Sequence, residues 1–192
     1  LKLLGCETTD VLMDWTSIVY YGDMNELAKF GYSRDHRPDK KQVTLGVAQL
    51  APPVNVPIGM TVEPGNINDQ EHFRRTYDQV RNVLKDGSLI VFDKGANDKR
   101  NLESIVLDSN DYLTSKKLNS SDDAVFQTFN ANVWELVNEE DGVYASKRVF
   151  PSRVNYYFFS EKLKEDYLAS RRRKVERLLQ EARVIQDSLD DG

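Results

Sequence analysis

The chain has 192 residues, 40% of them hydrophobic and 30% charged, enough for one sizeable core and a small second lobe. Its formal charge of −5 argues against a histone-like basic coat but leaves room for a local basic patch. No apolar run approaches the roughly 20 residues that cross a bilayer, and the apolar opening is too short for a signal peptide, which reads as a cytoplasmic protein. One cysteine, Cys6, and two histidines, His36 and His72, exclude an intrachain disulfide and a thiolate–imidazole zinc site. Any metal is therefore expected on oxygen ligands. The chain begins at Leu1 and its last pattern is a long helix, so a piece of something longer is expected.

Residues 11–21 are β-branched and aromatic-rich, the composition of a strand, with Asp14 inside it. Two further strands are predicted over 42–50 and 56–62, and the short joins suggest an antiparallel meander. Phe73, Tyr77, Val80 and Leu84 then recur at helical spacing behind a capping signal at Asn68 and Glu71, and Gly87 is the expected stop. Residues 88–92 form a short continuous apolar run, expected as a strand buried on both faces, with Asp93 just past its end. A second helix is predicted from about Asn97 with Leu102, Ile105 and Val106 on one face, and a strand over 112–118. The order βββαβαβ implies a mixed sheet with helices packed on it, in a domain over residues 1–118.

Residues 119–192 change character. A polar joint and a short helix around 124–129 precede three strand-like runs, over 133–138, 143–149 and 154–159, with a hairpin turn at Glu140-Asp141-Gly142. This reads as a β-rich insertion or subdomain. From Ser160, a plausible N-cap, a helix is predicted to about Ser188. Leu168, Val175, Ala182 and Leu189 stand seven apart with Leu178 and Ile185 on the adjoining step, so an apolar seam is expected to pack on something.

Four clusters could carry chemistry. Asp14 and Asp93 would meet at one sheet edge if their strands are neighbours, and two carboxylates together call for a cation such as Mg²⁺ between them. The plainer alternative is that each caps a turn. Residues 29–42 hold five Lys/Arg against two Asp, a local charge suited to phosphate, or simply a solvated loop. Pro64-Gly65-Asn66-Ile67-Asn68-Asp69 leads from a strand into a helix N-terminus, where turn chemistry suffices to explain it. Arg171-Arg172-Arg173-Lys174 lies on a helix whose basic and acidic residues balance, and reads better as a solvated face than as a DNA arm.

Four strings in this order, Asp14-Trp15-Thr16, residues 31–42 (GYSRDHRPDKKQ), residues 64–69 (PGNIND) and residues 91–96 (VFDKGA), closely resemble DDE transposases of the insertion-sequence-four superfamily. The resemblance covers residues 11–118 well and the remainder loosely. It implies an α/β, ribonuclease H-like catalytic core, with Asp14 and Asp93 as the first two catalytic, metal-binding acids. It implies Mg²⁺ or Mn²⁺ as cofactor, and DNA, both transposon ends and target, as partner, with a homodimer in the synaptic complex. The implied reaction is two-metal phosphoryl transfer, strand cleavage followed by joining. Arg34, His36, Arg37, Lys41 and Lys94 are the residues expected to meet DNA phosphates. The family's third acid is a glutamate in a tyrosine, arginine, glutamate, lysine pattern. Arg172 and Glu176 fit its spacing, but Tyr167 falls too early and Arg183 holds the lysine position. The third acid is thus expected beyond Gly192. Two other readings stand beside this one: a catalytically incomplete DNA-binding or interaction remnant, and a ribonuclease H-like metal nuclease.

Overall fold

The computed structural model of the chain describes residues 9–22, 24–32 and 36–190. They fall into two compact units, residues 1–117 and 118–192.

The first unit is a five-stranded mixed sheet in the order β3-β2-β1-β4-β5. β1 (Val11–Val19), β2 (Gln42–Leu50) and β3 (Pro57–Pro64) form the expected antiparallel meander. β4 (Leu89–Phe92) and β5 (Asp111–Thr114) add parallel to β1. The joins of parallel strands must cross the sheet, and α1 (Asp69–Val80) and α2 (Lys99–Leu107) supply them.

Alternation along the strands divides the sheet into two unlike faces. Val11, Met13 and Trp15 of β1, Ala48 and Leu50 of β2, and Ile90 and Phe92 of β4 are buried in one core with Phe73, Tyr77 and Val80 of α1 and Ile105 of α2. Phe73 is its hub: its ring lies 4.7 Å from Phe92, 5.6 Å from Tyr77 and 5.8 Å from Trp15. The other face carries Leu12, Ile18, Met60, Val62 and Leu113, all exposed. Leu89 and Val91 are only half-buried, so β4 is not covered on both faces as its apolar run predicts. A continuous apolar run records what each face can tolerate, whereas burial depends on what arrives to cover it.

The predicted start of α1 holds, with the Asn68 side chain accepting from the Glu71 N–H at 2.8 Å. Its predicted end does not. The helix stops at Val80 and tightens into a 3-10 turn over Arg81–Val83. Leu84 keeps its helical-period contact with the core from an extended conformation. Gly87, with φ of +78°, serves the turn into β4 instead. On α2, Val106 is exposed and the buried place beside Ile105 goes to Asn101. Asn101 Nδ2 donates to the carbonyls of Ala96 and Gln70, tying α2 to the end of the β4 loop and to α1.

The second unit begins with α3 (Ser120–Gln127), closed by a reciprocal capping box between Asn119 and Asp122. A three-stranded antiparallel sheet follows, β6 (Glu135–Asn138), β7 (Val143–Phe150) and β8 (Arg153–Ser160). Gly142, with φ of +57°, turns the first hairpin. Its core is aromatic: Trp134 and Tyr157, with Val125, are buried among Phe126, Phe129, Tyr144 and Phe159. Asp122 is buried there too, accepting from Tyr157 Oη at 3.0 Å and from the Asn119 N–H at 2.9 Å. α4 (Glu161–Asp190) leaves this sheet behind the Ser160 cap, whose Oγ accepts from the Leu163 N–H. Its seam does not pack as expected: residues 161–189 are exposed throughout.

Candidate functional site

Parallel strands gather their ligand-facing loops at their C-terminal ends. In the first unit β1 and β4 run side by side with Met13 paired to Phe92. The next residue after each is an aspartate. β4 ends at Phe92, so Asp93 lies just past it, while Asp14 continues β1. Both are exposed, and Asp14 shares the outer face with Leu12 and Thr16. Each carboxylate accepts from the following backbone N–H, Asp14 Oδ1 from Trp15 at 2.8 Å and Asp93 Oδ1 from Lys94 at 2.7 Å. Asp93 thereby caps the 3-10 turn over Lys94–Ala96. Local capping and a place at the sheet edge are compatible, because one carboxylate has lone pairs for both.

A cleft of about 730 Å³ opens at this end of the unit. Three of the four sequence strings meet there. Tyr32, His36 and Gln42 come from the basic loop, Gly65, Ile67 and Asp69 from the strand-to-helix turn, and Asp93, Lys94 and Gly95 from the end of β4. The contacts that draw them in are close. Gln42 Nε2 donates to Tyr32 O at 2.7 Å and to Gly65 O at 2.9 Å. A Cβ on Gly31 would run into the Gly65 carbonyl, one on Gly65 into the Gln42 carbonyl, and one on Gly95 into the Asp69 carboxylate. Glycine at these positions is thus a packing requirement. Gln42 is itself buried, and its Oε1 has no hydrogen-bond partner among the described residues.

The basic residues separate. His36 and Lys94 line the cleft, His36 from a left-handed backbone with φ of +55°. Arg37 and Lys41 do not line it. Arg37 makes a two-point pair with Asp39, Nε to Oδ1 and Nη2 to Oδ2, both at 2.9 Å. That guanidinium holds the Asp39 carboxyl down at about 2, and the pair raises Arg37 in turn. Lys41 is exposed at the start of β2. Arg34 lies outside the described residues.

Two cations that the sequence reading passed over, Lys116 and Lys117, also line the cleft. Asn97 Nδ2 donates to Ser115 O at 3.0 Å and ties their segment to the β4 loop. In sequence they fall inside the strand expected over 112–118; because β5 ends at Thr114, they follow a parallel strand instead, at the ligand end of the sheet. Asp69 and Asp93 add negative charge to the same cleft, so its walls offer both signs. Among the described residues no group of three or more His, Cys, Asp or Glu side chains is placed to hold a metal ion. Among them, too, no helix is long and apolar enough to cross a membrane.

No protein-family model matches the chain, and no curated protein matches it. Among solved structures the chain is similar to a piggyBac transposase synaptic complex with hairpin DNA, determined by cryo-electron microscopy, at 9% identity and a TM-score of 0.48. The match covers 79% of this chain and 33% of that one, so the chain spans about a third of the length of the protein it matches.

Proposed function

We propose that the first unit is part of the catalytic core of a DDE transposase of the insertion-sequence-four superfamily, with a ribonuclease H-like sheet. The observation that carries this reading is convergence. The strings that resemble the family lie far apart in sequence, yet residues of three of them line one cleft, and the fourth contributes Asp14 on β1, the strand paired with β4 that leads to Asp93.

Two hard carboxylates, both exposed, one on β1 and one just past β4, suit Mg²⁺ or Mn²⁺, which often takes one or two protein carboxylates and completes its shell with water and phosphate oxygens. Asp14 and Asp93 would hold it. When bound, such an ion polarises a phosphoryl oxygen and lowers the pKa of water. The chain's own groups bind and orient the DNA. Lys94, Lys116 and Lys117 sit on the cleft wall where a phosphate backbone would run, and His36 stands beside them. The Trp15 and Lys94 amides hold the two carboxylates in fixed rotamers before substrate arrives.

Metal-directed cleavage tests the site without DNA. The chain is loaded with Fe²⁺ and ascorbate, and the backbone should be cut next to residues 14 and 93. Excess Mg²⁺ should suppress both cuts, and Asp14→Asn or Asp93→Asn should abolish them. Cutting elsewhere, or cutting that survives both substitutions, overturns the reading.

A further inference from the structure

α4 spans 30 residues, about 45 Å at 1.5 Å per residue. Its first turn is anchored to the β6–β7 hairpin. Glu161 N donates to Gly142 O, and Lys162 pairs with Asp141. No α4 residue belongs to the aromatic core of its unit. A helix left in water draws little stability from propensity alone, so a long one with an apolar seam implies a covering surface.

The seam has the period of a coiled coil. Leu168, Val175, Ala182 and Leu189 occupy successive a positions, and Arg171, Leu178 and Ile185 the d positions between them. Six of these seven are apolar. The five large ones are exposed, from 41% at Leu168 to 70% at Leu189.

Arg171 decides the orientation. In a parallel, in-register pair it would face its own copy, two like charges inside a desolvated seam. In an antiparallel pair a positions face d positions. One register then stacks Leu168 on Ile185, Arg171 on Ala182 and Val175 on Leu178, each layer occurring twice. The long Arg171 meets the smallest residue of the seam. The same register sets the flanking g position Lys174 opposite Glu181 of the second copy, again twice, and Arg172 is left at the solvent-facing edge. Moving the helices one heptad further sets Glu181 against Glu181. Size and charge therefore agree on one alignment.

We propose that α4 is a self-association element, pairing with α4 of a second copy of this chain as an antiparallel coiled coil over residues 168–185. This pairing involves the second unit alone and is independent of the transposase reading.

Sedimentation equilibrium of the whole chain in a Cys6→Ser background tests it. The chain should dimerise in the micromolar range. Lys174→Glu alone and Glu181→Lys alone should each weaken the dimer by at least about tenfold, a change of 1.4 kcal/mol, and Lys174→Glu with Glu181→Lys should restore it. Circular dichroism controls for folding of each variant. Orientation is read by oxidation. A mixture of Val175→Cys chains and Leu178→Cys chains should give the mixed disulfide, with little disulfide from Val175→Cys chains alone. A chain that stays monomeric at every concentration, singles that bind as well as the parent, a double that fails to recover, or dominant Val175→Cys homodimers would each overturn the proposal.

Discussion

The two units solve the same problem differently. In the first, one apolar stripe of α1 and one of α2 are spent on one face of a sheet, and Phe73, Tyr77, Val80 and Ile105 are essentially inaccessible. In the second, the 30-residue α4 contributes none of the described core residues, and α3, the connection that follows it, β7 and β8 build that core largely from aromatic rings. The same amphipathic signal thus has two outcomes. Periodicity specifies that a face will be covered, and it does not specify by what.

Each unit carries one of the two tryptophans, Trp15 and Trp134, so their fluorescence reports the units separately, and the contrast can be attacked by mutation. The largest expected effect is Phe73→Ala. Removing the hub of the first core should cost about 3–5 kcal/mol in the Trp15 transition and leave the Trp134 transition in place. If both shift equally, the units are not separable.

Next comes pH. His72 is buried against Thr61, at 2.8 Å from its Oγ1. Burial, with a smaller contribution from the Arg75 charge, pushes its pKa from 6.5 down to about 4. The folded unit therefore binds fewer protons than the unfolded chain between those values. Its stability is fully present above about 6.5 and is lost as pH falls toward 4, on the order of 3 kcal/mol in total. His72→Gln should flatten that slope in urea titrations read by Trp15, while the second unit, which has no histidine, should show none of it in either chain.

Beneath the same histidine, a Cβ on Gly46 would sit 2.7 Å from His72 Nε2, Thr61 Oγ1 and Thr76 Oγ1. Gly46→Ala should cost about 1–3 kcal/mol by overpacking, measured as a lower urea midpoint. In the second unit, Tyr157→Phe deprives buried Asp122 of a donor and should cost a similar 1–3 kcal/mol or so, seen through Trp134. The smallest effect should come from Leu178→Ala. On the isolated monomer it should fall within about 0.5 kcal/mol, as for an exposed residue. Any larger loss that grows with protein concentration would belong to the pairing of α4.

Much of the architecture was legible in residue order. The meander, the start of α1 at Asn68, the Gly142 hairpin and the Ser160 cap follow from local chemistry, since each depends on a few adjacent residues. The element ends were harder. α1 stops seven residues before Gly87, and β5 ends at Thr114 rather than 118, because the end of an element is set by the packing it loses. Of the candidate site, Asp14 and Asp93 could be chosen from sequence, but that β1 and β4 are parallel neighbours is decided by the sheet order. The arginines of the basic loop drew attention by charge. Arg37 proved to be engaged with Asp39, whereas Lys116 and Lys117 were drawn to the cleft by the fold of β5.

What the sequence by itself determined is the set of local preferences: which stretches extend, which coil, where charge collects and which faces are apolar. Only the tertiary structure decided which of those faces meet. It brought Tyr32 and Gln42, Gly65 and Asp69, and Asp93 and Lys94 to one cleft and left the α4 seam exposed, because contacts between distant segments depend on strand order and register, which no short window of residues contains.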